Sequence, residues 1–354
     1  MIGQSKKILI IGPDPHSKGG ISSVVAAYSR MFVPFRLVVT YKDNKSKMRK
    51  IIPFVKAILQ TLYYCLFKDI KVLHIHSSNY TDFYRNTILL VIGKVFGKKV
   101  LLHIHGGTFD MFYHTYPRYV TAVCRLADAL VAVSSAIVKM LKDYDLNKRV
   151  YCLPNSIEFP ECFRDGQPHE RLRLVFVGSI NHQKGIYDVL KCLQKYEREL
   201  QDKVELHIGG VSYEEEYRKI LNEHDFSSMV VQHGWLNKEG KKLLLCSSDV
   251  FIHPSHVESF GLSILEAMAY GLPVITTLVG GIPDFFEDRK SGVAVTPGNI
   301  DEMYEAILYF LNHPSDISQM GKYGRQVARQ FSSQQVEKRL DCIYKELLQN
   351  KRLN

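Results

Sequence analysis

Several things are scarce in this 354-residue chain. There is one tryptophan. No apolar run approaches the ~18 residues a membrane span needs. The longest such stretch, "IIPFVKAILQTLYYCLF" from Ile51, is broken by Pro53, Lys56 and Gln60. The start, "MIGQSKKILIIGPDPHSKGG", has an apolar run of only Ile8 to Ile11, which reads as a first strand rather than a secretory leader. Its seven cysteines are scattered and never spaced as CxxC, so reduced thiols in a cytoplasmic setting are expected and a cysteine zinc site is not. Neither half shows GxGxxG at a strand-to-helix turn, which disfavours a dinucleotide enzyme. Repeats and low-complexity tracts are missing too.

Acidic charge is scarce on one side only. Residues 1–165 hold 24 Lys+Arg against 11 Asp+Glu, a net of +13, and residues 166–354 hold 22 against 25, a net of −3. The basic half is expected to face an anionic partner. Its densest part, Tyr41 to Lys71, sets Lys45, Lys47, Arg49, Lys50 and Lys56 around an apolar, aromatic segment. That is the composition of an interfacial membrane binder, so an anionic membrane surface is the expected partner. Nucleic acid is not, because no nucleic-acid module appears.

What is present is alternation. "KKILIIG", "DIKVLHIHS", "KKVLLHIHGG" and "ADALVAVSS" read as buried parallel strands, as do "LRLVFVGS", "VELHIGG", "SDVFIHPS" and "LPVITT" further on. Segments of helical periodicity follow them. The fold class is therefore α/β, two doubly wound Rossmann-like domains expected to face each other across a cleft. The Pro-rich stretch "PNSIEFPECFRDGQPHERLR" reads as the linker. Expected boundaries are 1–165, 166–330 and a closing helix, 331–354, packing back on the first domain.

In "HPSHVESFGLSILEAMAYGLPV" a strand ends and a helix opens near Gly261, leaving first-turn backbone N–H groups free for an anion or a polyol. Glu258 precedes that helix and Glu266 lies within it, the first expected to overhang the site and the second to sit deeper. Two ionised carboxylates, acceptors only, suit a ligand rich in hydroxyls. Lys184, in "VGSINHQKGI", is placed to meet a phosphate. Gly19 and Gly20 in "HSKGG" permit close approach of a ligand to a first strand-to-helix turn. His74, His76, His103 and His105 alternate on two strands and could in principle bind zinc, but no carboxylate accompanies them and no metal is expected. "DYD" at 143–145 has metal-motif spacing yet reads as a turn.

Taken in order, "KGG", "HGG", "VSS", "LPNS", "VGSINHQKGI", "HGWLN" and the Glu258-to-Glu266 stretch resemble the signature of glycosyltransferase family 4, retaining enzymes of the GT-B fold with an E-x7-E motif. The resemblance covers most of the chain. It implies that Glu258 contacts the hydroxyls of a donor sugar and that the backbone from Ser259 through Phe260 and Gly261 to Leu262 helps hold that sugar. It further implies that Glu266 binds the nucleotide ribose and that His105 is the active-site histidine. Ser179 departs from the pattern, where arginine is common; this leaves one phosphate cation fewer, with Lys18 as a possible substitute. The implied activity is transfer from a nucleotide diphosphate sugar to a saccharide acceptor, expected to be lipid-linked, in cell-surface polysaccharide synthesis. The implied location is peripheral to the inner membrane face, with no cofactor and no metal. Alternatives are a GT-B sugar-nucleotide epimerase and a non-enzymatic sugar-nucleotide or glycan-binding subunit.

Overall fold

The computed structural model describes residues 1–42, 51–164, 169–212, 214–224 and 226–349. Of the expected basic patch, Lys45, Lys47, Arg49 and Lys50 lie outside these residues, and Lys56 is exposed. The chain forms two compact units, residues 1–157 with 331–354, and residues 158–330.

The first unit holds β1 (Ile8–Pro13), β2 (Leu37–Tyr41), β3 (Val72–Ser77), β4 (Lys99–Ile104), β5 (Ala129–Ala132) and β6 (Val150–Cys152). They form one parallel sheet in the order β2-β1-β3-β4-β5-β6. Parallel strands covered on both faces must be apolar throughout, and β3 and β5 are buried along their whole length. The closing helix Ser333–Gln349 belongs to this unit. Its Val336, Leu340, Ile343, Tyr344 and Leu347, spaced as one helical face, join the core of β1, β3 and β4.

The second unit holds β7 (Leu172–Val177), β8 (Val204–Gly209), β9 (Val230–Gly234), β10 (Val250–His253), β11 (Val274–Thr276) and β12 (Gly292–Ala294). Their order is β12-β11-β10-β7-β8-β9, again all parallel. Counted from β7, that is the 3-2-1-4-5-6 arrangement of nucleotide-binding sheets. The order reverses between β7 and β10. Connections leave these two neighbouring strands in opposite directions, so the loops beyond their carboxyl ends part and leave room for a ligand.

Candidate active site

Two loops meet at that reversal. One follows β7 and runs through Ser179 to a single tight turn at His182–Lys184, where the Asn181 side chain accepts from Lys184 N–H at 3.1 Å. The other follows β10 and leads to the helix Leu262–Ala269. Backbone N–H groups of His256 and Val257 both donate to the Gln183 carbonyl, at 2.9 and 3.3 Å. Gly185, at φ +72°, permits the approach, since a Cβ there would lie 2.0 Å from the Pro254 carbonyl oxygen. A left-handed turn pressed against a neighbouring strand end leaves space only for hydrogen.

This stitching brings Lys184 and Glu258 together. Lys184 Nζ donates to Glu258 Oε1, and Ser255 Oγ approaches the same oxygen at 3.4 Å. From the far side, the Gly280 turn (φ +58°) packs against the Glu258 carbonyl so closely that a Cβ would lie 1.7 Å away. Thr277 Oγ1 pins the Ser255 carbonyl at 2.6 Å. Glu258 is thus held from three sides.

Burial alone would raise the Glu258 pKa; instead it is held down to about 2, because His253 and Lys184 favour the carboxylate. His253 is fully buried between Phe176 and Phe251, whose ring planes lie within 4° and 6° of its own. Burial lowers its own pKa and keeps it neutral. At 3.5 Å from Glu258 Oε1 it offers a weak contact rather than a charge.

Glu258 is the deeper of the two glutamates, its side chain 7% exposed against 26% for Glu266. The expected depths are therefore reversed. The cause is direction: Glu258 turns inward to Lys184, whereas Glu266 turns to Lys241 of the helix Lys238–Cys246, 2.7 Å away. Between them Phe260 is buried against Phe285, so from Ser259 to Leu262 the Phe260 ring serves the core and backbone groups face the site's side. Gly261 opens the helix at φ +96°, and first-turn N–H groups have no acceptor within a helix. Ser179 is exposed just beyond β7.

The remaining expected residues belong to the first unit. Gly19 (φ +134°) and Gly20 form the exposed turn into the helix Gly20–Tyr28, and Lys18 precedes them. His105 follows β4 and is buried, with Nε2 2.9 Å from His76 Nδ1. Burial lowers its pKa to about 3, so it is a neutral hydrogen-bonding imidazole. His74 pairs with His103 at 3.1 Å and with the Tyr344 hydroxyl of the closing helix. The four rings form a stack, with His74 and His76 4.5 Å apart and 15° from parallel, and His74 and His103 21° from parallel. His74, His76 and His103 place ring nitrogens within 4.8 Å of one another, and His76 Nε2 and His103 Nε2 are buried without a hydrogen-bond partner among the described residues. Asp143 and Asp145 are engaged with Lys139 and Arg125, so "DYD" is a salt-bridged surface turn.

Lys241, His253, Ser255 and Thr277 were not singled out from sequence. "HPS" at a strand end was a usable signal for two of them. Lys241 carried none, because its partner lies 25 residues away on another helix.

Residues 161–327 match the family model described as Glycosyl transferases group 1. An uncharacterized 41.2 kDa protein in the cps region of Klebsiella pneumoniae is 25% identical over 300 residues, 79% of this chain and 78% of that one. Three further curated relatives, 26–29% identical, are matched over only 32–60% of their own length. Sucrose-phosphate synthase from Thermosynechococcus elongatus superposes with a TM-score of 0.77 at 16% identity, covering 97% of this chain and 99% of that one. HepE of Anabaena, solved with UDP-glucose, gives 0.74 at 15% identity, covering 95% and 99%. The chain shares the two-sheet GT-B fold of these solved structures, and its residues 161–327 are similar to glycosyl transferases group 1.

Proposed function

We propose that this chain is a retaining glycosyltransferase that moves a sugar from a nucleotide diphosphate sugar to a saccharide acceptor. The observation that carries this reading is the half-buried Lys184–Glu258 pair at the sheet-order reversal, inside the segment matching the group 1 model. A cation and a permanently ionised carboxylate, side by side below a helix start, are the parts a sugar diphosphate requires. On donor binding Lys184 turns to the diphosphate, and Glu258, released, accepts from sugar hydroxyls. Backbone N–H groups from Ser259 to Leu262 share the leaving-group charge. Glu266 exchanges Lys241 for the ribose diol. With Lys184 and the helix start neutralising the diphosphate, no metal is required of the reaction, and Ser179 adds only a hydroxyl donor.

Among the described residues no carboxylate presents itself as a covalent partner for the anomeric carbon, so retention is assigned to front-face attack. The acceptor hydroxyl forms the new glycosidic bond on the side from which the nucleotide diphosphate leaves, and a diphosphate oxygen takes its proton. Orientation and electrostatics supply the rate. His105, neutral, is assigned a hydrogen-bonding role toward the donor sugar, and Gly19 and Gly20 a close backbone approach to the substrate. Acceptors in cell-surface polysaccharide assembly, carried on lipid, suit the +13 charge of residues 1–165. No described helix is long and apolar enough to cross a membrane, so the chain would work there as a peripheral cytoplasmic protein.

A thermal-shift panel of UDP-, GDP-, ADP- and dTDP-sugars tests this directly. One donor at a hundred times its Kd should stabilise the native chain by about 2.7 kcal/mol, and Lys184→Ala should erase most of the shift. If no nucleotide sugar raises the melting temperature, the reading fails. If one does, NMR of the product's anomeric centre decides retention.

A further inference from the structure

The helices Ile51–Phe67 and Thr81–Val95 leave an apolar surface open. On the first, Ile52, Val55, Leu59, Tyr63, Leu66 and Phe67 are each 48–70% exposed. At about 100° per residue they fall within an arc of about 120°. On the second, Tyr84, Ile88, Val91 and Val95 are 38–76% exposed, within an arc of about 60°. The two helices pack together, and Arg85 of the second lies 5.9 Å from the Phe54 ring of the first. The two stripes thus run along neighbouring helices. All ten residues are more than a third exposed, whereas soluble monomers rarely leave large apolar stretches open to water.

Charge within the two stripes has one sign, and exposed Asp69, just past the first helix, is paired with Lys71. The first helix contains no Asp or Glu. The single acid of the second, Asp82, accepts from Ser78 N–H at 2.7 Å and from the Asn86 amide at 3.2 Å, turned away from the stripe. Exposed Lys56 lies on the apolar face itself, and Lys68 sits at its end, 5.6 Å from the Tyr63 ring. Long aliphatic stems ending in cations can lie along an apolar layer while their heads reach phosphate. A second copy of the chain would set these cations against one another. A leaflet of anionic lipid would pair each of them.

We propose that these two helix faces together insert into the interfacial zone of an anionic leaflet, so that hydrocarbon contact, more than charge, holds the chain to the membrane. This rests on the peripheral placement proposed above and goes beyond it. A chain held by lysines alone would be released by salt, whereas a buried apolar stripe would not.

The test is flotation of the full-length chain with vesicles of phosphatidylcholine, or with about a third of it replaced by phosphatidylglycerol. Each is run at low salt and at about 1 M NaCl, where the Debye length is about 3 Å. We expect the anionic vesicles to carry the chain, with partitioning reduced by no more than about tenfold in high salt. Leu59→Glu with Val91→Glu, both exposed, should reduce partitioning at least about a hundredfold with melting temperature and donor binding unchanged. No flotation, full release by salt, or a double variant that floats like the parent overturns the proposal. So does a stable dimer in vesicle-free solution that the same pair dissociates. Nucleotide-sugar binding without flotation removes only the membrane face; flotation without nucleotide-sugar binding removes only the transferase reading.

Discussion

The two sheets handle buried polar groups in opposite ways. Along β3 and β4 the first unit buries four neutral histidines: His74 and His105 are pushed down to about 3, and His76 and His103 also lie well below the ordinary range. Beyond β7 and β10 the second buries a carboxylate, kept ionised by His253 and by Lys184, the latter 26% exposed. The stack is joined ring to ring and ring to Tyr344, although His76 Nε2 and His103 Nε2 keep no partner among the described residues. The ion pair differs, because a lysine reaching water can turn to another anion, while the carboxylate it leaves, 7% exposed, then needs new donors.

The sharpest way to break this comparison is to remove the charge. Glu258→Ala should lower transfer by at least about a hundredfold, the order seen when one electrostatic contact to a reacting group is lost. Lys184 can relax toward water, so the melting temperature should fall by only a few degrees. Steady-state kinetics beside a melting curve separates the two effects, and a variant with parental transfer would show that the pair is structural.

A smaller effect should follow from touching the stitch rather than the charge. Gly185→Ala adds a Cβ that meets the Pro254 carbonyl at 2.0 Å, at a φ of +72°. The left-handed conformation alone costs about 1–2 kcal/mol, and the clash must move one loop. Donor affinity should weaken about tenfold or more as Lys184 leaves Glu258. Isothermal titration with the donor found by the thermal-shift panel would show it; equal affinities for parent and Gly185→Ala would mean that the loops are positioned otherwise.

These residues also show how far sequence reaches. All eight strands read from apolar runs lie in the two sheets, and the four that were not read, β2, β6, β9 and β12, are the four sheet edges. An interior strand is buried on both faces and spells itself as a continuous apolar run. An edge strand has one neighbour: β9 reads "VVQHG" and is mostly exposed. Lys184 and Glu258 were legible because each sits where a strand run stops and a helix begins. Their direct contact was not, since it depends on Gly185 and Gly280 letting two loops close on each other. Glu266's turn toward Lys241 was equally hidden, being a choice of side-chain direction on a helix surface.

Acid sharpens the comparison most gently. For a histidine whose folded pKa is depressed, the unfolded chain binds more protons between the folded value and the ordinary 6.5, so its contribution is complete above 6.5 and is lost as pH falls toward about 3. Glu258 is also depressed, but from 4.5 to about 2, so its contribution is complete above 4.5 and fades only below that. Between pH 6.5 and 4.5 the histidine stack should therefore weaken while the ion pair does not. The groups packed on the stack, Tyr28 and Tyr344, stay neutral through that window and do not offset it. His253, at the end of β10, is also lowered by burial and weakens the second sheet in the same direction, but it is one histidine against four. Hydrogen exchange read by mass spectrometry at pH 7 and pH 5, corrected for intrinsic rates, should therefore show β3 and β4 losing more protection than β7 and β10. Equal losses in the two sheets would mean that the histidines are protonated in the folded chain, and that the first unit is not the closed, neutral interior that its packing describes.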